Sequence, residues 1–375
     1  MQRIRNYGSS LQGYALKCLI EGVEDEAAVS FVDYRPGEVL VKQEATGPAK
    51  SGLARTLSKI SEYSAVDANI VDRFRFLNHK RIYESRYLPL MGIPTAPNHD
   101  QDVDVLVIGS DEVFNCVQSN TNVGYSRDLF GHESPAGAVV SYAASFGNTT
   151  LKRIDDFGIR GDLEEDFARF AAISVRDRNS ASIVEALTGH SPSVNVDPAL
   201  AYDFMHREAR VPANRQHAGK YVLVYGYSGR LNSDENAALT AYARGIGAKI
   251  LCIGGVQGCC DKFIDCNPFE LLAYFRDAES IVTDTFHGTI FSLINNKPFG
   301  TIVRPSTSHG YGNEEKLGFL LETFGVTSQR VSDLTSISET LRNPIDYDAV
   351  EARLTRERSK TLDYLTRAMS RGQRQ

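Results

Sequence analysis

Short apolar runs alternate with helical patterns through the second half of the chain. Strands are predicted at Tyr221–Tyr225, Lys249–Ile253, Ser280–Val282 and Gly300–Val303, and helices at Ser233–Ile246, Pro268–Phe275 and Thr289–Asn295. Continuous apolar strands joined by helical crossovers are typical of a parallel, right-handed α/β sheet. The pattern therefore predicts a Rossmann-like domain over residues 219–345.

The first half alternates in the same way, though less regularly. Strands are predicted at Val103–Ile108, Ala138–Tyr142, Ala171–Val175 and Val194–Val196, with one helix reaching about Ile20 and another ending at Leu187. Residues 1–205 are therefore interpreted as a second Rossmann-like domain. The polar, proline-containing stretch Tyr202–Lys220 is interpreted as the linker between the two.

Three segments depart from this alternation. Helices predicted at Leu53–Tyr63 and Val66–Leu77 make residues 45–97, approximately, a helical insertion in the first domain. Residues 346–375 are predicted to form a helix with one apolar stripe, which would cross back between the domains. Only Met1–Arg5 precede the first helix, although such a turn normally follows a buried strand, so the opening strand is expected to be curtailed.

Polar residues follow several predicted strands of the first half. Ser110 and Asp111 come after Gly109, Arg176 and Arg178 after the third strand, and the small-residue segment 141–147 leaves the second. Because the carboxyl ends of parallel strands meet at one edge, Asp111, Ser141, Arg176 and Asp197 are expected to converge there. Two arginines in such a place favour a small, doubly anionic substrate.

The stretch Thr283–Thr289 is the candidate opposite wall of the cleft. A buried strand ends there, and a helix is predicted to begin at Gly288, just after His287. A helix N-terminus offers unpaired N–H groups to an anion, and histidine titrates near neutrality, so the stretch predicts anion binding and proton transfer. The alternative is a histidine that only caps its helix.

Ser9 and Gln12 have the spacing of a capping box for the first helix.

Charge and composition exclude several classes of protein. The 375-residue chain has a net charge of −6, which argues against a general nucleic-acid surface, and its six cysteines are scattered without zinc-site spacing. No metal cage and no cofactor are expected. No apolar run approaches the roughly 20 residues of a membrane-spanning helix and no signal sequence is evident, so a cytoplasmic location is expected.

The outer face of the last predicted helix is basic. Residues 351–375 contain seven Arg or Lys against three acids. A solvated terminal helix accounts for this charge, and attraction to the inner surface of an anionic membrane is the alternative.

Six ordered motifs resemble those of the polysaccharide pyruvyl transferases. They are Asn-Tyr-Gly-Ser-Ser-Leu-Gln at 6–12, Gly-Ser-Asp-Glu-Val-Phe-Asn at 109–115, Ser-Tyr-Ala-Ala-Ser-Phe-Gly at 141–147, Ser-Val-Arg-Asp at 174–177, Val-Asp-Pro at 196–198 and Thr-Asp-Thr-Phe-His-Gly at 283–288. The resemblance implies two Rossmann-like α/β domains facing a cleft, as in the GT-B fold. It also implies transfer of a pyruvyl group from phosphoenolpyruvate to a sugar diol of a surface-polysaccharide or lipid-linked glycan precursor, giving a cyclic ketal and phosphate.

The resemblance and the strand-end positions together assign the site residues. The phosphoenolpyruvate site would comprise Arg176, Arg178, Thr285, His287, Gly288 and Thr289. The acceptor site would comprise Asn6, Tyr7, Gly8, Ser9, Gln12, Ser110, Asp111, Ser141 and Tyr142. His287 would donate a proton or bind the departing phosphate. Asp111 would orient or deprotonate an acceptor hydroxyl, unless it only caps the following helix.

Two other functions remain open at the level of the sequence. One is a GT-B glycosyltransferase with a nucleotide-sugar donor, and the other is a non-catalytic relative in a polysaccharide-assembly complex. Thr285 is the clearest departure from the family pattern, because some relatives have an arginine there. Donor binding would then depend on other cations.

Overall fold

The computed structural model describes residues 2–41, 68–304, 314–332 and 336–372. The helix predicted at Leu53–Tyr63 lies outside these residues.

The first half contains a parallel sheet of five strands, namely β1 Val105–Asp111, β2 Ala138–Ala144, β3 Phe170–Ala172, β4 Ser174–Val175 and β5 Ser193–Val194. Their order is β1-β2-β4-β5, and β3 also pairs with β2. The predicted strand Ala171–Val175 is therefore two short strands. Strand β2 is buried along its whole length, as expected for a central strand covered on both faces.

The second half contains a parallel sheet of six strands, namely β6 Tyr221–Tyr225, β7 Lys249–Ile253, β8 Lys262–Phe263, β9 Ser280–Thr283, β10 Phe299–Ile302 and β11 Arg330–Val331. Their order is β11-β10-β9-β6-β7-β8. The chain reverses its direction of travel across the sheet between β6 and β9. The carboxyl ends of these two strands therefore flank the crevice in which α/β sheets bind ligands.

The helices are α1 Tyr7–Val23, α2 Ile70–Arg86, α3 Leu151–Asp156, α4 Arg160–Phe167, α5 Arg178–Thr188, α6 Pro198–Ala201, α7 Phe204–Arg207, α8 Ser233–Gly245, α9 Pro268–Asp277, α10 Phe286–Ile294, α11 Glu314–Phe324, α12 Ile337–Thr340 and α13 Tyr347–Gly372. Short 3₁₀ turns occupy Leu88–Met91, Arg127–Phe130 and Thr327–Gln329. Helices separate most successive strands of the second sheet, as the alternation predicted.

Two helices begin earlier than predicted. The side chain of Asn6 accepts a hydrogen bond from the Ser9 amide at 2.7 Å and caps α1, so the predicted capping box of Ser9 and Gln12 is wrong. Helix α10 begins at Phe286, because the hydroxyl of Thr285 accepts a hydrogen bond from the Gly288 amide. His287 consequently lies inside the first turn of α10 rather than before it.

Helix α2, from the predicted insertion, packs on the second sheet and on α1. The rings of Phe76 and Phe263 pack edge to face at 5.7 Å, and Nδ1 of His79 lies 2.7 Å from a carboxylate oxygen of Asp265. The domain boundaries predicted from the sequence stay a prediction.

Helix α13 crosses back over the first sheet. The Tyr364 hydroxyl donates to the carbonyl of Ser141 at 2.7 Å, while Leu354 and Leu365 are buried in a core that also contains residues of α1 and of both sheets. Two Rossmann-like α/β halves with a returning C-terminal helix, the predicted fold, are thereby confirmed. Within the described residues, no helix is both long and apolar enough to span a bilayer.

Candidate active site

The end of strand β1 is shaped by backbone constraints. A side chain on Gly109, which has φ 145°, would overlap the carbonyl of Tyr142 on β2, so only glycine fits there. Asp111 itself has φ 71°, in the left-handed region that non-glycine residues seldom adopt. This unusual backbone holds the Asp111 carboxylate at the carboxyl edge of the sheet.

Asp197 is the centre of the site. Its side chain is fully buried, and its Oδ2 accepts hydrogen bonds from Nε2 of Gln12 at 2.6 Å and from Nη1 of Arg176 at 3.0 Å. Ser110 donates from its Oγ to the same oxygen at 3.4 Å and also bonds to Gln12. Residues from α1, β1 and the segment after β4 therefore share one carboxylate oxygen.

Arg176 connects the two halves of the molecule. Its Nη2 lies 3.4 Å from Oδ1 of Asp111, and its guanidinium carbon lies 4.4 Å from the centre of the Phe286 ring on α10. Its side chain is only 5% exposed, so the charge is held in place by two carboxylates and one aromatic face.

His287 faces this cluster from the second half. Its Nε2 lies 3.7 Å from Oδ2 of Asp197, beyond hydrogen-bonding distance, and this buried atom has no hydrogen-bond partner in the described structure. The other side of the ring packs against Gly8, where a β-carbon would overlap Nδ1. A buried ring nitrogen without a partner is a group to which a ligand can bind.

The charges of the cluster reinforce one another. Burial by itself raises the pKa of Asp111, but Arg176, His287 and Lys316 outweigh it and lower the pKa to about 2. Burial likewise raises the pKa of Asp197, and His287 and Arg176 bring it below its ordinary value. Both carboxylates are therefore ionised at neutral pH, and they surround a cation.

The polar groups of the Thr283–Thr289 stretch mostly bond to one another. Thr285 caps α10, and the Gly288 amide is thereby used. The Thr289 amide and hydroxyl both donate to the carbonyl of Thr285, and its hydroxyl also contacts that of Thr301. The two N–H groups that the sequence offered to an anion are thus occupied, because the helix begins two residues before Gly288.

Other predicted site residues are dispersed. Ser9 joins the cluster, since its Oγ donates to Oδ2 of Asp111 at 3.3 Å. Arg178 does not, because it begins α5 and turns towards Glu322 and the ring of Phe319, with its side chain 75% exposed. Asn6 is engaged as the helix cap.

Three predicted acceptor residues are buried away from the cluster. Tyr7 donates from its hydroxyl to the carbonyl of Cys266, and Ser141 donates to that of Ser174. The Tyr142 hydroxyl donates to the carbonyl of Val196 beneath α13. Side chains alternate along a strand, so neighbours in sequence point to opposite faces of the sheet and do not all reach its edge.

A cavity of about 650 Å³ opens beside the cluster. Ser9, Gln12, Ser110 and Asp111 line it at one end, and α1, β1 and the segment around Phe31 enclose the rest. It is large enough for a sugar-sized ligand next to Asp111.

One residue of the cluster was not assigned to the site from the sequence. Asp197 was expected at the common edge but was not assigned to the site, although its position after β5 was a usable signal.

Among the described residues, one group, His132, Glu165 and Asp166, has metal-ligand spacing. It lies away from the cluster, and Asp166 already accepts hydrogen bonds from Arg127.

The solved structures that resemble the chain share little sequence with it. A comparison with curated proteins returned no match. Solved structures that it resembles include a mutant O-GlcNAc transferase of Thermobaculum terrenum, with 14% identity, a TM-score of 0.37 and coverage of 71% of this chain and 51% of that one. The glycosyltransferase SnogD of Streptomyces nogalater gives 15% identity, a TM-score of 0.34 and coverage of 62% and 66%.

A variant of the wall teichoic acid polymerase TagF is 12% identical, with a TM-score of 0.35 and coverage of 82% of this chain and 97% of that one. The chain thus spans about half of the length of the first of these proteins. The family match spans residues 6–305, which fit the polysaccharide pyruvyl transferases. The chain therefore belongs to the polysaccharide pyruvyl transferase family.

Proposed function

We propose that the protein transfers a pyruvyl group from phosphoenolpyruvate to two hydroxyls of one sugar in a glycan precursor, forming a cyclic ketal and releasing phosphate. The observation that carries this proposal is the buried, unpartnered Nε2 of His287, which faces the Arg176–Asp197 pair from the opposite half. Family membership supports polysaccharide pyruvylation in general, and the donor and product are our proposal.

The reaction balances without a further reactant. A proton added to the methylene carbon of the enol turns it into a methyl group and leaves the adjacent carbon cationic. One sugar hydroxyl adds to that carbon and loses its proton, and the second hydroxyl then displaces phosphate. Of the two hydroxyl protons, one replaces the proton spent on the methylene carbon and the other leaves with phosphate.

His287 is the proton donor in this scheme. An imidazole can give a proton to the enol and recover it from the attacking hydroxyl. Asp197, 3.7 Å from Nε2, keeps Arg176 in position.

Arg176 binds the carboxylate or phosphate of the donor. A guanidinium has five N–H donors, and the structure engages Nη1 with Asp197 and Nη2 with Asp111, so the fork retains capacity for a further anion. Thr285 contributes a helix cap where some relatives have arginine, so this site depends on Arg176 and Lys316 for positive charge.

Asp111 orients an acceptor hydroxyl in this scheme. A carboxylate whose pKa is about 2 is a weak base at neutral pH, so it accepts a hydrogen bond more effectively than it removes a proton. Its place at one end of the 650 Å³ cavity supports an acceptor in that cavity.

We place the reaction in the cytoplasm, at the inner membrane surface, if the acceptor is lipid-linked. The exposed basic residues of α13, including Arg356, Lys360 and Arg367, support attraction to anionic lipid. Salt-sensitive flotation with anionic but not neutral vesicles is the expected result. Equal binding to neutral vesicles, or none to either, would refute this placement.

The enzymatic test supplies phosphoenolpyruvate with a panel of lipid-linked glycans and synthetic β-galactosides. We expect phosphate release and a product heavier by the mass of pyruvate less water. His287→Ala should lower the rate by roughly 10²-fold or more while the protein stays folded. His190→Ala, on an exposed loop, is the matched control and should leave the rate unchanged.

Consumption of a nucleotide-sugar instead of phosphoenolpyruvate would replace this proposal with a glycosyltransferase. If neither donor is consumed with any acceptor, the protein is a non-catalytic relative. Full activity of the His287→Ala variant would refute only the role given to His287, and the proposed reaction would stand.

A further inference from the structure

Tyr227 is an exposed aromatic residue beside the candidate site. It follows β6, one of the two strands whose carboxyl ends flank the crevice of the second sheet, and it is 49% exposed. Most of the other exposed large hydrophobic residues in the described chain lie on helices, such as Ile70, Phe74 and Leu362. An aromatic ring left in water at a crevice is a feature of ligand sites.

The loop that carries Tyr227 is fixed to the neighbouring loop. Four hydrogen bonds join residues 226–229 to residues 253–257. They run from the Gly226 amide to Ile253 at 3.3 Å, from the Gly229 amide to Val256 at 3.0 Å, from the Val256 amide to the Ser228 hydroxyl at 3.0 Å and from the Gln257 side chain to the Tyr227 carbonyl at 2.6 Å. The exposed ring of Tyr227 is therefore carried by an ordered loop.

The loop that carries Tyr227 lies beside one wall of the candidate site. A β-carbon on the preceding Gly226 would approach Oδ1 of Asp284 to 2.9 Å, which puts this loop against the stretch that contains His287.

Arg230 provides a charged group at the same place. Its Nε donates to Oδ2 of Asp284 at 2.8 Å, and its guanidinium carbon lies 6.0 Å from the centre of the Tyr227 ring. An aromatic face next to a fixed hydrogen-bond donor suits a neutral hexopyranose, whose axial C–H groups form an apolar face and whose hydroxyls project from its rim.

We propose that Tyr227 is the platform on which a sugar ring of the acceptor glycan packs, with Arg230 donating to that sugar's hydroxyls. The inference rests on the proposed function and deepens it, because it assigns the second half of the molecule a share in acceptor binding. A sugar packed on Tyr227 would lie beside the stretch that contains His287.

The test measures glycan binding separately from transfer. The affinity of the full chain for soluble acceptor glycans is determined by titration without phosphoenolpyruvate, for the wild type, Tyr227→Phe and Tyr227→Ala. Packing on the ring predicts that Tyr227→Ala weakens binding about tenfold while Tyr227→Phe binds like the wild type. In steady-state assays, Tyr227→Ala should raise the KM for the acceptor and leave the KM for phosphoenolpyruvate unchanged.

Three results would overturn the inference. They are unchanged glycan affinity of Tyr227→Ala, an equal loss in Tyr227→Phe, which would assign the role to the hydroxyl, and loss of binding to a nucleotide rather than to the glycan. Failure of the proposed function has a different signature, because the wild type itself would then release no phosphate with any acceptor.

Discussion

At the scale of single residues, the site is organised around one buried carboxylate. Gln12 and Arg176 donate to the same oxygen of Asp197, and His287 faces that oxygen from the other half. Removing one partner from a buried charged cluster typically costs about 3–5 kcal/mol, because the remaining charges lose their compensation. Asp197 is thus a positioning residue for both arginine and histidine.

We expect Gly8→Ala to impair activity through His287. The added β-carbon would overlap Nδ1 of the imidazole, so either the ring or α1 must shift. The rate of transfer should fall at least about tenfold, as a misplacement of about 1 Å is enough for such a loss. Steady-state assays of purified protein measure this.

Gly22→Ala is the matched control for Gly8→Ala. It lies on the same helix, and a β-carbon there would meet no atom within 4 Å. We expect unchanged activity and a gain of about 0.5–1 kcal/mol in stability, because alanine favours helix over glycine. Equal activity of both variants would show that the contact between Gly8 and His287 is unimportant.

The pKa of Asp111 predicts a stability change at acid pH. Its fall from 3.8 to about 2 in the folded protein corresponds to roughly 2 kcal/mol. A carboxyl group whose pKa is lowered by folding stabilises the folded state above about pH 4. This contribution is lost as the pH falls towards 2.

Urea denaturation of the wild type and of Asp111→Asn between pH 6 and pH 2 tests this expectation. The advantage in unfolding free energy of the wild type should shrink by about 2 kcal/mol over that range. A constant difference at every pH would contradict it.

At the scale of elements, helix caps decide where the site residues fall. Asn6 starts α1 so that Gly8, Ser9 and Gln12 are on its first turns, and Thr285 starts α10 so that His287 is on its first turn. Both caps lie at the starts of helices that the hydrophobic pattern predicted. Their positions differ from the predicted ones by two or three residues.

Thr285→Val should destabilise the protein by about 0.5–2 kcal/mol, the usual cost of losing an N-cap. Valine keeps the shape of threonine but cannot accept the hydrogen bond of the Gly288 amide or contact the Thr283 hydroxyl. Thr285→Ser retains the hydroxyl and is the control. Chemical denaturation measures both variants, and equal stability of Val and Ser would show that the cap contributes nothing.

At the scale of the whole molecule, the two sheets share a hydrophobic core. Leu11 of α1, Tyr142 of the first sheet, Leu223 of the second and Leu365 of α13 belong to one buried cluster. A core that extends across both halves couples their unfolding.

We therefore expect a single thermal unfolding transition in scanning calorimetry, with equal calorimetric and van't Hoff enthalpies. Leu11→Ala, which removes about 2–5 kcal/mol of packing from this core, should move the whole transition to lower temperature. Two separate transitions, of which Leu11→Ala shifts only one, would show that the halves unfold independently.

Predictions from the sequence were most accurate for buried strands and least accurate for polar side chains. The strands Tyr221–Tyr225 and Lys249–Ile253 have the predicted bounds, because a continuous apolar run has a single way to be buried in a parallel sheet. Ser141 and Tyr142 also lie in a predicted strand, but their side chains donate hydrogen bonds to backbone carbonyls instead of lining the cleft. A polar residue at a strand end has several directions available, which the sequence pattern does not distinguish.

The sequence by itself determined the two α/β halves, the terminal helix, the family and the convergence of Asp111, Arg176 and Asp197. The family follows from six ordered motifs, and the rest follows from hydrophobic periodicity and from the rule that parallel strands end at one edge. Only the tertiary structure decided that Asp197 is the shared partner, that Arg178 turns towards α11 and that His287 lies against Gly8. Most of these contacts join residues more than a hundred positions apart, and they depend on tertiary packing rather than on any local preference.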